Sequence, residues 1–338
     1  MGDIIFIDYI QIAFEELMEK LEEDGKSPEE INRFINSNEF SEKYLEMMKQ
    51  LVLNIYKNIR ENIDSIDDTL LQVKKEYRDS IEKDWENLLK YLRLYHLMCC
   101  DICDGYKEYV NSEKISSDNL MKSIAINAIN ARALTVYEEI VCLLENGYPE
   151  GALAHWRTLF ELWMVAEFIN HFKDDVATAY IASSKDDSDD EQSKYKWAKL
   201  SGRFKESQNV GINAIISESF KILQGKAEDI ISKRKFLSLY NMSNIILHPS
   251  AKGVFRRISP SDEWFNFSIG PSKFGLDTAA VNAVTVLFNI NKLYLELFNN
   301  EISYIGLDLL QYIINNEVFP NAEQIGEALI KEESNGSE

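Results

Sequence analysis

Arg157 and Glu161 stand four residues apart in a stretch, Glu150 to Phe172, whose other side chains include Leu153, Trp156, Leu159, Phe160, Leu162, Trp163, Met164, Val165 and Phe168. On a helix this spacing puts the two charges on one face. An unpaired charge among apolar groups is costly, so the pair should bond each other and a third group or line a polar cavity. Glu138, Glu139 and Arg132 are candidates for that third group. Two readings stand side by side: an internal ion pair that fixes helix register, and a ligand-facing site.

A second segment, Leu239 to Ser250, carries Tyr240, Asn241, Ser243, Asn244 and His248 just ahead of Pro249. Asn241, Asn244 and His248 share a helical stripe, with Tyr240 and Ser243 on adjoining faces. At a helix end, unpaired carbonyls favour a protonated imidazole, so His248 is either a cap or a general acid/base. The segment holds no Asp or Glu to orient it. Arg157, Glu161 and His248 are therefore the candidate catalytic residues, and Tyr240, Asn241, Ser243 and Asn244 the candidate ligand-binding ones, in a polar pocket between helices.

A third group, His96, Cys100 and Cys103, shares one helical face and offers zinc-ligand types, but only Cys142 remains to complete a set of four. Cysteines packing as small hydrophobes are the favoured alternative, and no metal or other cofactor is expected. The acidic run from Lys185 to Glu191 lacks the glycine and closing Glu of a calcium loop and reads as solvated. The chain carries no Walker loop, dinucleotide fingerprint, HExxH or GxSxG motif.

The elements that must position these residues are helical. Six prolines in 338 residues, a 45% hydrophobic composition and apolar spacings of three and four predict an all-α multi-helix bundle. Helices are expected over 7–23, from Ser27-Pro28, over 41–62, 67–111, 118–146, 150–172, 194–203, 213–224, 227–248 and 277–300, with shorter ones to 315 and over 321–331. The helix from 67 carries Leu70, Val73, Tyr77, Ile81, Trp85, Leu88 and Leu92 and reads as a coiled-coil-like arm or bundle helix. Gly147 and Pro149 mark a tight antiparallel helical hairpin, with its second arm central and buried. Residues 250–276 predict an irregular loop or short hairpin, and 332–338 a disordered tail. Three regions follow: 1–115, a helical interaction arm for a protein partner; 116–315, the bundle core; and 316–338, a terminal helix and tail.

Thirty-six Lys and Arg against 56 Asp and Glu give a net charge of −20, which repels polyanions and excludes a general nucleic-acid coat protein. The short basic runs Lys233-Arg234-Lys235 and Arg256-Arg257 read as solvated helix ends. The acidic N-terminus predicts no secretory leader, and no apolar run is long enough for a membrane span. Four cysteines, three of them crowded at 99, 100 and 103, fit a reducing cytoplasm.

The string from Arg132 to Glu161, with Gly147, Ala152 and Arg157, resembles an uncharacterised bacterial helical family, domain of unknown function 5677. The later pieces Tyr240, Ser243, His248-Pro249-Ser250 and Ile269-Gly270-Pro271-Ser272 with Gly275-Leu276 are similar to that family's other marks, in order. A looser likeness is to the helical HEPN superfamily, whose nucleases place an Arg four to six residues before a His at a dimer interface. That resemblance implies a homo-oligomer, a nucleotide-like or RNA ligand, a stress or phage-defence setting and a metal-independent ribonuclease chemistry centred on His248. The positions for its arginine hold Asn241, Met242 and Ser243 here, so Arg157 or Arg234 would have to stand in. The competing class is a non-enzymatic homodimeric interaction or scaffold module.

Overall fold

The computed structural model of the chain describes Glu15 and residues 18–21, 23–111, 119–185, 194–225, 233–247, 251–254, 258–260, 265–267, 270–297 and 301–335. It divides into two compact units, Met1–Glu76 and Tyr77–Glu338.

In the first unit, α1 (Pro28–Ile35) opens on a capping box: the Ser27 hydroxyl accepts from the Glu30 backbone N–H, and the Glu30 carboxylate accepts from the Ser27 backbone N–H at 2.9 Å. Ser37 likewise caps α2 (Asn38–Glu61) by accepting from Phe40 N–H at 3.1 Å. Leu21, Ile31 and Ile55 are buried. A long helix, α3 (Ile63–Asn111), follows after Asn62. Most of the helix expected over 7–23 lies outside the described residues.

The second unit begins within α3, where exposure gives way to burial: Ile81, Trp85, Leu88, Leu89, Leu92, Tyr95 and Cys99 enter the main core. The division therefore falls at 76/77 rather than near 115, because the C-terminal part of the charged helix is itself a core helix. α4 (Leu120–Glu145) and α5 (Pro149–His171) form the expected antiparallel hairpin. α4 begins under the side chain of Asp174, whose two oxygens accept from Met121 N–H at 3.2 Å and Lys122 N–H at 2.7 Å. It ends in a Schellman motif, with Gly147 at φ +75° and hydrogen bonds from Tyr148 N to Leu143 O (2.8 Å) and Gly147 N to Leu144 O (3.0 Å). Pro149 then occupies the first turn of α5.

α6 (Asp174–Ser183) follows, and the helix expected over 194–203 is a 3-10 turn, Lys196–Ser201. Then come α7 (Ile212–Gly225), α8 (Lys233–Leu247) and α9 (Ala251–Val254). The stretch after them holds a two-stranded antiparallel hairpin, β1 (Ile258–Pro260) with β2 (Phe265–Phe267), the short exception to helicity foreseen there. α10 (Leu276–Glu296) returns through the core, where the Trp156 indole donates to the Asn282 carbonyl at 3.0 Å. α5 packs against α4, α7, α8 and α10 and so lies at the centre.

α11 (Glu301–Ile313) passes through a wide turn, Ile314–Val318, into α12 (Phe319–Asn335). Pro320 explains the widening, since it lacks an N–H and its ring crowds the preceding turn. The Asn316 and Asn321 side chains donate to the carbonyls of Tyr312 and Glu317 there. Val318 and Ala322 belong to the main core, so residues 316–335 are part of the second unit rather than a separate tail, and helix continues through 332–335. Among the described residues, no helix is long and apolar enough to cross a membrane.

Candidate functional site

Trp156 and Phe160 turn α5 toward the core, stacking with each other and with Phe236 of α8, and Phe160 also meets Tyr240 at 5.4 Å between ring centroids. This aromatic contact fixes α8 against α5 and sets the neighbouring stripe, Arg157 and Glu161, beside Tyr240. Arg157 Nε donates to Glu161 Oε1 at 2.9 Å, and the Tyr240 hydroxyl donates to the same oxygen at 2.8 Å. The guanidinium carbon lies 5.2 Å from the Tyr240 ring centroid, within cation–π range. The third group that the sequence called for is thus Tyr240, 79 residues further on.

The pair sits at the edge of the core: the side chains of Arg157 and Glu161 are 27% and 24% exposed. Burial, joined by the hydrogen bond and charge of Glu161, pushes the Tyr240 phenol up to about 12, which keeps it a donor throughout the physiological range. At Arg157 burial works downward, but the adjacent Glu161 carboxylate and Tyr240 outweigh it and the guanidinium is held above its usual value. Tyr195, on the turn before the 3-10 segment, also feels the pair: burial and then the Glu161 charge raise its phenol. Nothing in the sequence near Tyr195 marks it, because its nearness to Glu161 exists only in three dimensions.

The other expected third groups engage elsewhere. Glu139 joins His155 Nδ1 at 2.9 Å and Arg132 at 3.5 Å, a separate polar cluster across the hairpin. The acid that α5 buries most deeply is Glu167, which accepts from the Trp163 indole at 3.2 Å one turn away. Its i, i+4 spacing from a tryptophan was the available signal.

His248 lies outside the described residues. Asn241 is exposed and lines a cleft of about 530 Å³ with Ser238, Met242, Ile245 and Lys252. Ser243 is fully buried, and its hydroxyl donates to the Tyr240 carbonyl at 2.8 Å. Asn244 is half-buried. His96 Nε2 and Cys100 Sγ are 3.6 Å apart, while the Cys103 thiol receives the Asn130 amide at 2.9 Å. Among the described residues, no three His, Cys, Asp or Glu side chains converge on a metal-sized site.

The separated sequence marks meet at the hairpin turn. Ser272 N–H donates to the Gly147 carbonyl at 2.7 Å, and a Cβ on Gly147 would stand 2.6 Å from Tyr77, 2.9 Å from Ile81 and 2.9 Å from Pro271. Glycine is required there both for its φ and for this approach. No curated protein and no solved structure matches the chain. Residues 124–264, which hold most of the helical hairpin and the Arg157–Glu161–Tyr240 cluster, match the model of a family of unknown function, DUF5677.

Proposed function

We propose that the Arg157–Glu161–Tyr240 cluster is the wall of a ligand site for a small, anionic, nucleotide-like molecule. The observation that carries this reading is a guanidinium held in place by Glu161 yet about a quarter exposed, beside the aromatic side chains of Tyr240 and Tyr195. Glu161 and Tyr240 take up one edge of Arg157, and the remaining N–H donors match phosphate oxygens in a fork. Tyr240 is buried and its ring backs the guanidinium, so the half-buried Tyr195 is the aromatic side chain left to stack on a base. Glu161 acts here as a positioning residue.

RNA is the extended form of the same ligand chemistry, in the stress or phage-defence setting that the HEPN likeness implies. In that form His248 takes the proton of a ribose 2′-OH as its oxygen attacks the adjacent phosphorus, the 5′-oxygen leaves with a proton, and Arg157 bears on the charge gathering on the phosphoryl oxygens. No metal is needed for these steps. The four cysteines, none of them joined in a disulfide, fit residence in a reducing cytoplasm.

A thermal-shift series with 5′-AMP, inorganic phosphate and a short single-stranded RNA tests the site. At about tenfold excess over Kd, a ligand bound only to the folded chain raises Tm by about 3 °C. The shift should vanish in Arg157→Gln. RNA cleavage lost in His248→Ala at unchanged Tm supports the nuclease form, and cleavage retained by that variant contradicts it. A second reading, a scaffold in which the cluster only clamps α5 to α8, is favoured by the closure of both strong bonds onto one Glu161 oxygen. It predicts that Arg157→Gln lowers Tm while no probe shifts the wild type.

A further inference from the structure

A cleft of about 510 Å³ opens between α8, α10 and α12 of the second unit. Phe236, Val281, Phe319 and Ala322 form its apolar part. Asn282 lines it as well and is only 7% exposed. The Asn282 Nδ2 donates to the Thr278 carbonyl at 2.6 Å, and its main-chain carbonyl is held by the Trp156 indole. A carbonyl neighbour fixes which way the amide faces, so Oδ1 is the end left over, and among the described residues no donor reaches it. That oxygen is not sealed in the core; it opens on the cleft, where an acceptor nearly out of water gains most from a ligand's N–H. Asp277 and Glu323 stand at the same cleft, and among the described residues neither carboxylate has a hydrogen-bond or ion-pair partner. Lys235 also lines it and pairs with neither. Gly326 of α12 completes the wall. Among the described residues the one atom within 4 Å of a Cβ placed there is Asp277 Oδ2, at 3.5 Å. Glycine weakens a helix interior, and neither packing nor a positive φ requires it here, so what the missing side chain preserves is the space beside Asp277.

We propose that this cleft binds a small organic amine, an ammonium group carried on an apolar or aromatic body. An ammonium offers three donors and no acceptor. The cleft presents acceptors with no donor of their own, Asn282 Oδ1 and the carboxylates of Asp277 and Glu323. Two carboxylates against the single Lys235 leave a net negative charge, which draws a cation and opposes a carboxylate or phosphate. The apolar side chains take the body of the ligand, and the aromatic rings of Phe236 and Phe319 favour a cation near them. The volume lies within the roughly 300–1,000 Å³ of small-molecule sites. A bare metal ion fits less well: among the described residues no three His, Cys, Asp or Glu converge, and it gains nothing from the apolar side chains. This site takes a ligand of opposite charge to that of the Arg157 cluster, so either reading stands without the other.

Isothermal titration of the full chain at neutral pH with 2-phenylethylamine tests the site, with 3-phenylpropionate as the anion of matching size. The expected result is saturable binding of the amine with a Kd of about 1 mM or tighter, and none of the acid. Asp277→Asn with Glu323→Gln, which keeps the shapes and removes the charges, should weaken the amine at least about tenfold. Gly326→Leu should fill the cleft and abolish binding while Tm holds or rises. Should the leucine lower Tm, the double carboxamide variant carries the test. No saturable heat with the wild type, equal affinity for the acid, or unchanged amine binding in the folded variants overturns the proposal.

Discussion

Replacing Glu161 with Gln removes a charge while keeping an amide oxygen that can still accept from Tyr240. A fully desolvated ion pair broken on one side costs ~3–5 kcal/mol, and an exposed one ~0–1 kcal/mol. With Arg157 and Glu161 27% and 24% exposed, the expected loss lies between, at about 1–2 kcal/mol. Tyr240→Phe deletes one hydrogen bond to a charged acceptor, worth about 1.5 kcal/mol. Because both donors bond the same oxygen, the two substitutions should couple by about 0.5–1 kcal/mol in a double-mutant cycle. Denaturant unfolding followed by tryptophan fluorescence is a suitable assay, since Trp85, Trp156, Trp163 and Trp197 are buried in the core of the second unit. A coupling of zero would refute the shared-oxygen geometry, and a loss of 3 kcal/mol or more for Glu161→Gln alone would refute the partial exposure used to scale it.

Three further outcomes follow from the same geometry. The Tyr240 phenol, at about 12 when folded against about 10 when unfolded, favours the protonated form in the folded chain, so its contribution is whole below pH 10 and is lost as the pH climbs through 12. The alkaline fall in stability should be shallower in Tyr240→Phe by up to about 2 kcal/mol, measured by denaturant midpoints across that window. Gly147→Ala should destabilise the second unit by about 2–4 kcal/mol, combining strain at φ +75° with the crowding of Tyr77, Ile81 and Pro271; a loss under 0.5 kcal/mol in urea unfolding contradicts that packing. Asp174→Ala should cost about 1 kcal/mol by the same measurement, through the freed Met121 and Lys122 amides at the start of α4.

The helical hairpin was legible because its signals are local: Gly147 and Pro149 act within one turn of where they stand. The Arg157–Glu161 pair was legible for the same reason, as an i, i+4 spacing in an apolar run. Its closure by Tyr240 left no local mark, since the chain folds across 79 residues to make that bond. The boundary between units was misplaced because α3 keeps one alternation of charged and apolar residues along its whole length. What changes at Ile81 is the partner. From there the apolar stripe widens to adjacent pairs such as Leu88-Leu89, a buried bundle face, whereas from Ile63 to Val73 its apolar side chains are exposed or half-buried. The wide turn at Ile314–Val318 had its signal in Pro320, whose effect on a helix that continues beyond it is a matter of packing against α10.

The central claim, that Arg157 presents a held guanidinium to an anionic, nucleotide-like ligand, is tested most directly by isothermal titration of the full chain with 5′-AMP. The account predicts saturable binding with a Kd of about 1 mM or tighter for the wild type, and at least tenfold weaker binding for an Arg157→Gln variant that remains folded. Equal binding by the two proteins, or no saturable heat with the wild type, would contradict it.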